Sequence, residues 1–188
     1  MTKTRLPLAQ AEDIAHEVVA LLGHVCHRIE IAGSIRRRKP DVGDVEIVCV
    51  PKVESAGEDL FGESIGAMNL QLEAVHRLLA DGTFYDRLDK NGHRACGERM
   101  QRLLFMDFPL DIFCVLPPAQ WGVIFAIRTG SANFSHRFMT PKPHGNMPFG
   151  MRVENGQLLD RGVVVPTPEE ADFFAAIGMD YVKPEDRT

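Results

Sequence analysis

Asp44 and Glu46 stand two residues apart in Gly43-Asp44-Val45-Glu46, at the head of the apolar run Ile47-Val48-Cys49-Val50. On a β-strand, side chains two apart share a face, which leaves Val45, Ile47 and Cys49 on the opposite one. Two carboxylates on one face are costly in a core strand, because unpaired buried charge is unfavourable. A divalent cation between them removes that cost. Just upstream lie Gly33, Ser34, Arg36, Arg37, Arg38 and Lys39. Glycine lets the backbone approach a phosphate, serine adds a hydroxyl, and guanidinium groups pair with phosphate oxygens. Alone, the basic run would read as the solvated face of a strand–turn–helix junction. Followed by Gly43-Asp44, it favours a polyphosphate. Carboxylates for a metal beside cations for a phosphate chain is the layout of a nucleotidyl-transfer site.

The flanking elements must position these groups. Residues 7–22 carry Leu8, Ile14, Val18, Val19, Leu21 and Leu22 at helical spacing, and Gly23 stops them. Residues 25–32 alternate as a strand that ends at Gly33-Ser34, and 42–50 form the central strand. Residues 52–68 read as a polar, glycine-rich loop, and 70–79 as an amphipathic helix ended by Asp81-Gly82. Strands are expected at 84–88 and 102–108, around the polar turn Lys90-Asn91-Gly92-His93, and again at 105–115. Pro117-Pro118 is the best boundary, dividing 1–118 from 119–188. Beyond it come an apolar-sided segment at 120–139, a turn-rich sheet at 142–165 with a hairpin at Asn155-Gly156, and a closing helix with Glu169 and Glu170 in its first turn.

Composition sets outer bounds. With 188 residues, 45% apolar and 25% charged, the chain suits one or two small globular domains. No apolar stretch approaches the roughly 18 residues needed to cross a bilayer, and no signal-peptide segment opens the chain. A cytosolic, membrane-free protein is expected. Cys26, Cys49, Cys96 and Cys114 form no C-x-x-C pair and read as reduced residues. His24, Cys26 and His27 fall short of a zinc spacing and read as a loop with exposed histidines.

Gly33-Ser34, Arg36-Arg37 and Gly43-Asp44-Val45-Glu46 together resemble the signature of family X DNA polymerases, the DNA polymerase beta group: G-S-x-R-R, a spacer, then G-D-x-D. Glu46 stands where the family has Asp. Asp111, between Leu110 and Ile112 in an otherwise apolar run, is the expected third carboxylate; Asp107 is its rival. The family pattern there is a basic residue, an apolar residue, then Asp, and Pro109 takes the place of the basic residue. Thr129-Gly130-Ser131 is similar to the family's T-G-S segment, with Ile127 and Arg128 in place of two ring residues that bear on sugar choice. Ser135 takes the place of an Asn that meets the incoming base, and Met139 that of an Arg that meets the template. The tail, with Asp172-Phe173, Tyr181, Pro184 and Arg187, matches the family's closing segment.

The resemblance runs from about Ala11 to Arg187. It implies an α+β fold: a nucleotidyltransferase palm with a mixed β-sheet and flanking helices, then a small α+β thumb. It implies attack of a DNA 3′-hydroxyl on the α-phosphate of a nucleoside triphosphate. Asp44, Glu46 and Asp111 would bind two Mg²⁺, with Mn²⁺ possible in their place. Gly33, Ser34, Arg37 and Gly43 would hold the phosphates, and Arg128, Thr129, Gly130, Ser131 and Ser135 would line the nucleotide. Gap filling by a minimal monomeric enzyme, acting in the cytosol or as a viral or phage product in its host, is expected. Neither the family's lyase domain nor its helix-hairpin-helix clamps are expected before Ala11. The net charge of −5 argues against a uniformly basic surface; a local basic groove then predicts weak, salt-dependent DNA binding. Two other readings stay open: a nucleotidyltransferase with an RNA, protein or small-molecule acceptor, and a non-catalytic nucleic-acid-binding relic.

Overall fold

The computed structural model describes residues 4–55, 57, 66–89 and 91–188. Part of the loop expected at 52–68, and Lys90 of the turn at 90–93, lie outside the described residues. The first half opens with β1 (Leu6–Pro7), α1 (Leu8–Leu22), β2 (Cys26–Ile31), the single turn α2 (Gly33–Arg36), β3 (Asp41–Val42) and β4 (Val45–Pro51). It continues through β5 (Val53–Ser55), β6 (Ala67–Asn69), α3 (Leu70–Ala80), β7 (Phe84–Asp86), β8 (Met100–Phe105) and β9 (Phe108–Cys114). The second half holds α4 (Trp121–Thr129), α5 (Ala132–Met139), β10 (Met151–Glu154), β11 (Gln157–Asp160), β12 (Val163–Val165) and α6 (Glu170–Ala176).

The fold is α+β around a five-stranded mixed sheet of order β2-β4-β9-β8-β7, in which β4 and β9 run parallel and the other pairs antiparallel. Alternation along the strands gives the sheet two unlike faces. Val45, Ile47 and Cys49 of β4 join Leu110, Ile112 and Cys114 of β9 in a core closed by Ala11, Ala15, Val18 and Leu22 of α1 and Ala74 and Val75 of α3. On the other face, Val48, Phe113 and Val115 pack against Trp121 and Phe125. The second half therefore lies across part of the sheet face that carries Glu46 and Asp111. Its own core gathers Val123, Phe138, Met147, Leu158, Phe173 and Phe174.

Several expected boundaries move. The strand at 42–50 is broken: β3 pairs with β1, Gly43 and Asp44 form a bend, and β4 begins at Val45. The expected loop after residue 51 includes a short antiparallel pair, β5 with β6. Strands β8 and β9 form a hairpin turning at Met106 and Asp107, both with positive φ (50° and 57°). The segment at 120–139 is two helices, because Ser131 caps a new one by accepting from the Phe134 N–H at 3.1 Å. The Asn155-Gly156 hairpin joins β10 to β11 as the dipeptide requires. The closing helix is capped by Glu169, which forms a capping box with Asp172. Among the described residues, no helix is long and apolar enough to cross a membrane.

Candidate active site

Asp44 immediately precedes β4 and Glu46 lies within it. Across the parallel pair, Glu46 is in register with Asp111 of β9. Their side chains therefore emerge as neighbours on one face, and Asp44, just before the strand, lies close enough for its charge to act on Glu46. Asp107, the rival to Asp111, sits in the exposed hairpin turn at the end of β9.

The turn after β2 closes on Glu46. Gly33 has φ +61°, and a Cβ there would stand 1.9 Å from Glu46 Oε2. Only glycine gives both that conformation and that clearance. The Ala32 N–H also donates to the Glu46 carbonyl at 2.8 Å. Burial first, and then the Asp44 and Asp111 carboxylates, raise Glu46 from the ordinary 4.5 to about 7, although Arg37 and Arg128 pull the other way.

Four arginines surround this edge. Arg87 donates through Nη2 to Asp111 Oδ1. Arg102 of β8 is directly opposite Asp111 in the ladder. Arg128 stacks its guanidinium 3.8 Å over the Phe113 ring, and burial lowers its pKa despite the pull of Glu46 and Asp111. Arg37 donates through Nη1 to the Thr129 and Gly130 carbonyls at 2.7 and 3.0 Å. Arg37, Glu46, Ile127, Arg128, Gly130, Ala132 and Ser135 line a cleft of about 290 Å³.

The expected binding residues thus converge, with some of their polar groups committed within the protein. Arg37 braces the Thr129-Gly130 backbone, yet among the described residues its Nε and the Ser34 hydroxyl, both buried, have no hydrogen-bond partner. Those two atoms keep capacity for an anion. The Thr129 hydroxyl accepts from Arg36 at 2.6 Å and is fully buried. The Ser131 hydroxyl serves as a helix cap. The Ser135 hydroxyl donates to the Ile127 carbonyl at 2.6 Å, so it lines the cleft without offering that proton to a base. Gly130 is needed for contact, because a Cβ there would stand 2.5 Å from Ser135 Oγ. Arg87 and Arg102 are missing from the sequence reading. The hairpin turn at Met106-Asp107 was the available signal: counting outward from it pairs residue 102 with 111.

Among the described residues, no three His, Cys, Asp or Glu side chains are drawn together as a finished metal cage. The donor chemistry still suits a hard divalent cation, being carboxylate oxygens alone, and after burial it is the Asp44 and Asp111 charges that raise Glu46. On those grounds Asp44, Glu46 and Asp111 fit Mg²⁺ or Mn²⁺.

No family model matches the chain. The chain is 24% identical over 173 residues to DNA polymerase lambda of Rattus norvegicus, an alignment covering 82% of this chain and 28% of that protein. It therefore spans little more than a quarter of the relative's length. Over most of its length this mixed-sheet α+β chain is thus distantly similar to a DNA polymerase.

Proposed function

We propose that the chain is a nucleotidyltransferase of the DNA polymerase beta type, with residues 1–118 as palm and 119–188 as a thumb-like unit, filling gaps or extending a DNA 3′-hydroxyl with nucleoside triphosphates. The observation that supports this most is the in-register pairing of Glu46 with Asp111 beside the Gly33–Arg36 turn. In the reaction, the 3′-oxygen forms a bond to the α-phosphorus, the bond to the bridging oxygen breaks, and pyrophosphate leaves. Asp44, Glu46 and Asp111 would hold the cations, which would supply positive charge to offset that of the phosphate oxygens. Asp111 takes the hydroxyl proton on a carboxylate oxygen. Ser34 Oγ, Arg37 and the amides at Gly33 and Gly43 orient the β- and γ-phosphates, and Arg128 adds positive charge at the cleft.

Primer extension on gapped DNA with each nucleotide tests this reading. Incorporation by the native chain is expected to fall at least about 100-fold in Asp44→Ala and in Asp111→Ala. Glu46 carries one methylene more than Asp, and Mg²⁺ tolerates poor octahedral geometry badly. Slow turnover with Mg²⁺ and a relative gain with Mn²⁺ are therefore expected; equal or lower rates with Mn²⁺ count against this geometry. A second reading, nucleic-acid binding without catalysis, draws on the commitment of Arg37 and Ser135 to backbone carbonyls. Tight DNA binding with no incorporation under either metal would select it.

A further inference from the structure

Asp111 has no basic neighbour at the near same-face position of its own strand. Residues two apart on a strand share a face, and the residue two before Asp111 is Pro109. The charge reaches Asp111 from elsewhere. Arg87 follows β7, and its backbone N–H donates to the Arg102 carbonyl at 3.2 Å, tying it to the β8 residue paired with Asp111. From there its side chain passes over β8 and donates through Nη2 to Asp111 Oδ1.

The two side chains are 25% and 13% exposed. Surface pairs such as Arg152–Glu154, at 56% and 51%, are weakly coupled by comparison. Arg102, closer along the ladder, is an exposed residue. The contact from Arg87 is shielded and charge-assisted, and a contact of that kind restricts how the carboxylate can rotate.

We propose that Arg87 is a positioning residue for Asp111: reaching across β8 from the end of β7, it restrains the carboxylate's orientation beside Glu46 and supplies positive charge that Pro109 does not. The proposal rests on the reading of Asp111 as a cation-binding carboxylate. It also accounts for a proline at a site whose side chain would otherwise compete for the same carboxylate.

The test uses Arg87→Met, which keeps the stem and removes the charge, with Arg87→Lys and the double change Arg87→Met/Pro109→Arg. Three quantities are read on each: Mn²⁺ affinity by calorimetry without DNA or nucleotide, kcat and KM in gapped-primer extension, and melting temperature. For Arg87→Met, Mn²⁺ affinity and kcat are expected to fall about 10- to 100-fold, the range for losing a partner that orients a metal ligand. KM for the nucleotide should stay within about 3-fold; melting should fall, because Asp111 loses a shielded partner, so affinity and rates are read at a temperature at which every variant stays folded. Arg87→Lys should recover part of the loss, and the double variant most of it, because an arginine at 109 shares the face of Asp111.

Unchanged Mn²⁺ affinity in Arg87→Met, or a gain in affinity or rate, overturns the proposal; a gain would mean that Arg87 holds Asp111 away from the cation. A loss confined to KM also overturns it, because Arg87 would then be binding substrate. If the native chain incorporates no nucleotide while Arg87→Met weakens Mn²⁺ binding, the positioning role stands and the polymerase reading fails. If the native chain extends primers and Arg87→Met changes neither quantity, only the positioning role fails.

Discussion

Glu46 is a carboxyl that this fold makes hard to ionise, and that has consequences for stability. Its pKa rises from 4.5 unfolded to about 7 folded, chiefly through burial and then through Asp44. Between those values the folded state holds a proton that the unfolded chain has released. Stability contributed by this group is therefore complete below about pH 4.5 and lost as pH rises through 7. The slope is up to about 1 kcal/mol per pH unit. Urea midpoints measured in chelator at pH 5, 6 and 7.5 should fall more steeply for the native chain than for Glu46→Gln; equal slopes would contradict the assignment. Added Mg²⁺ should flatten the native curve, because a cation favours the ionised ligand. Gly33→Ala makes a second residue-level test. The new Cβ would meet Glu46 Oε2, so cation affinity should drop with a stability loss of about 1–2 kcal/mol from the left-handed backbone. A native-like titration would mean that Gly33 is not needed there. The pairing of Glu46 with Asp111 was legible because acids in apolar runs are local signals; the two-residue spacing does not place Asp44, which precedes the strand. Arg87 was not legible, because its contact with Asp111 joins residues 24 apart and passes over a strand.

Elements follow their periodicity where one face is buried, and depart from it where a distant contact takes over. Helices α1 and α3 and strands β2, β4 and β9 fall close to their apolar patterns. The break between α4 and α5 was not legible, because it depends on a serine cap and on Arg37 gripping the Thr129 and Gly130 carbonyls. Glu170 shows the same limit. Expected only as a first-turn acid that suits the helix dipole, it is 5% exposed and held from two sides. Arg36 of α2 donates to both its oxygens at 2.8 Å, and Arg187 donates to Oε1 at 2.6 Å. Arg36 also stacks 3.9 Å over Phe125, and Arg187 is fully buried. One carboxylate thus links the turn after β2, helix α6 and the end of the chain. Burial pushes its pKa up, but the two arginines outweigh burial and leave it below the ordinary value. Its contribution is therefore present above the ordinary carboxylate pKa and lost as pH falls through the lowered one. Glu170→Ala leaves two shielded cations uncompensated and should cost about 3–5 kcal/mol in urea denaturation. A loss under about 1 kcal/mol would mean that water or a rotamer change satisfies both arginines.

At the scale of the whole molecule, charge is distributed against its sum. The net charge of −5 repels DNA at long range, but the candidate site is edged by basic side chains. Arg102 stands opposite Asp111, Arg128 lies over Phe113, and Arg99 lines a cleft with Arg128 and Met100. At 0.1 M salt, exposed charges beyond about 10 Å are largely screened. Raising salt therefore removes the repulsion of the acidic body as well as the attraction of the basic edge. The two act at different ranges: phosphates in contact with arginines release counterions, whereas the distant acids release none. Affinity should consequently fall with salt even though the protein is acidic. If three or four phosphates are contacted, the logarithm of affinity against the logarithm of salt should slope by about −3 to −4. Fluorescence anisotropy of a gapped duplex between 50 and 200 mM salt measures this. Arg102→Ala and Arg99→Ala should each make the slope shallower by about 1, with little dependence on sequence. A flat salt dependence, or an unchanged slope in both variants, would place any DNA contact elsewhere on the molecule and separate the basic edge from the carboxylates it surrounds.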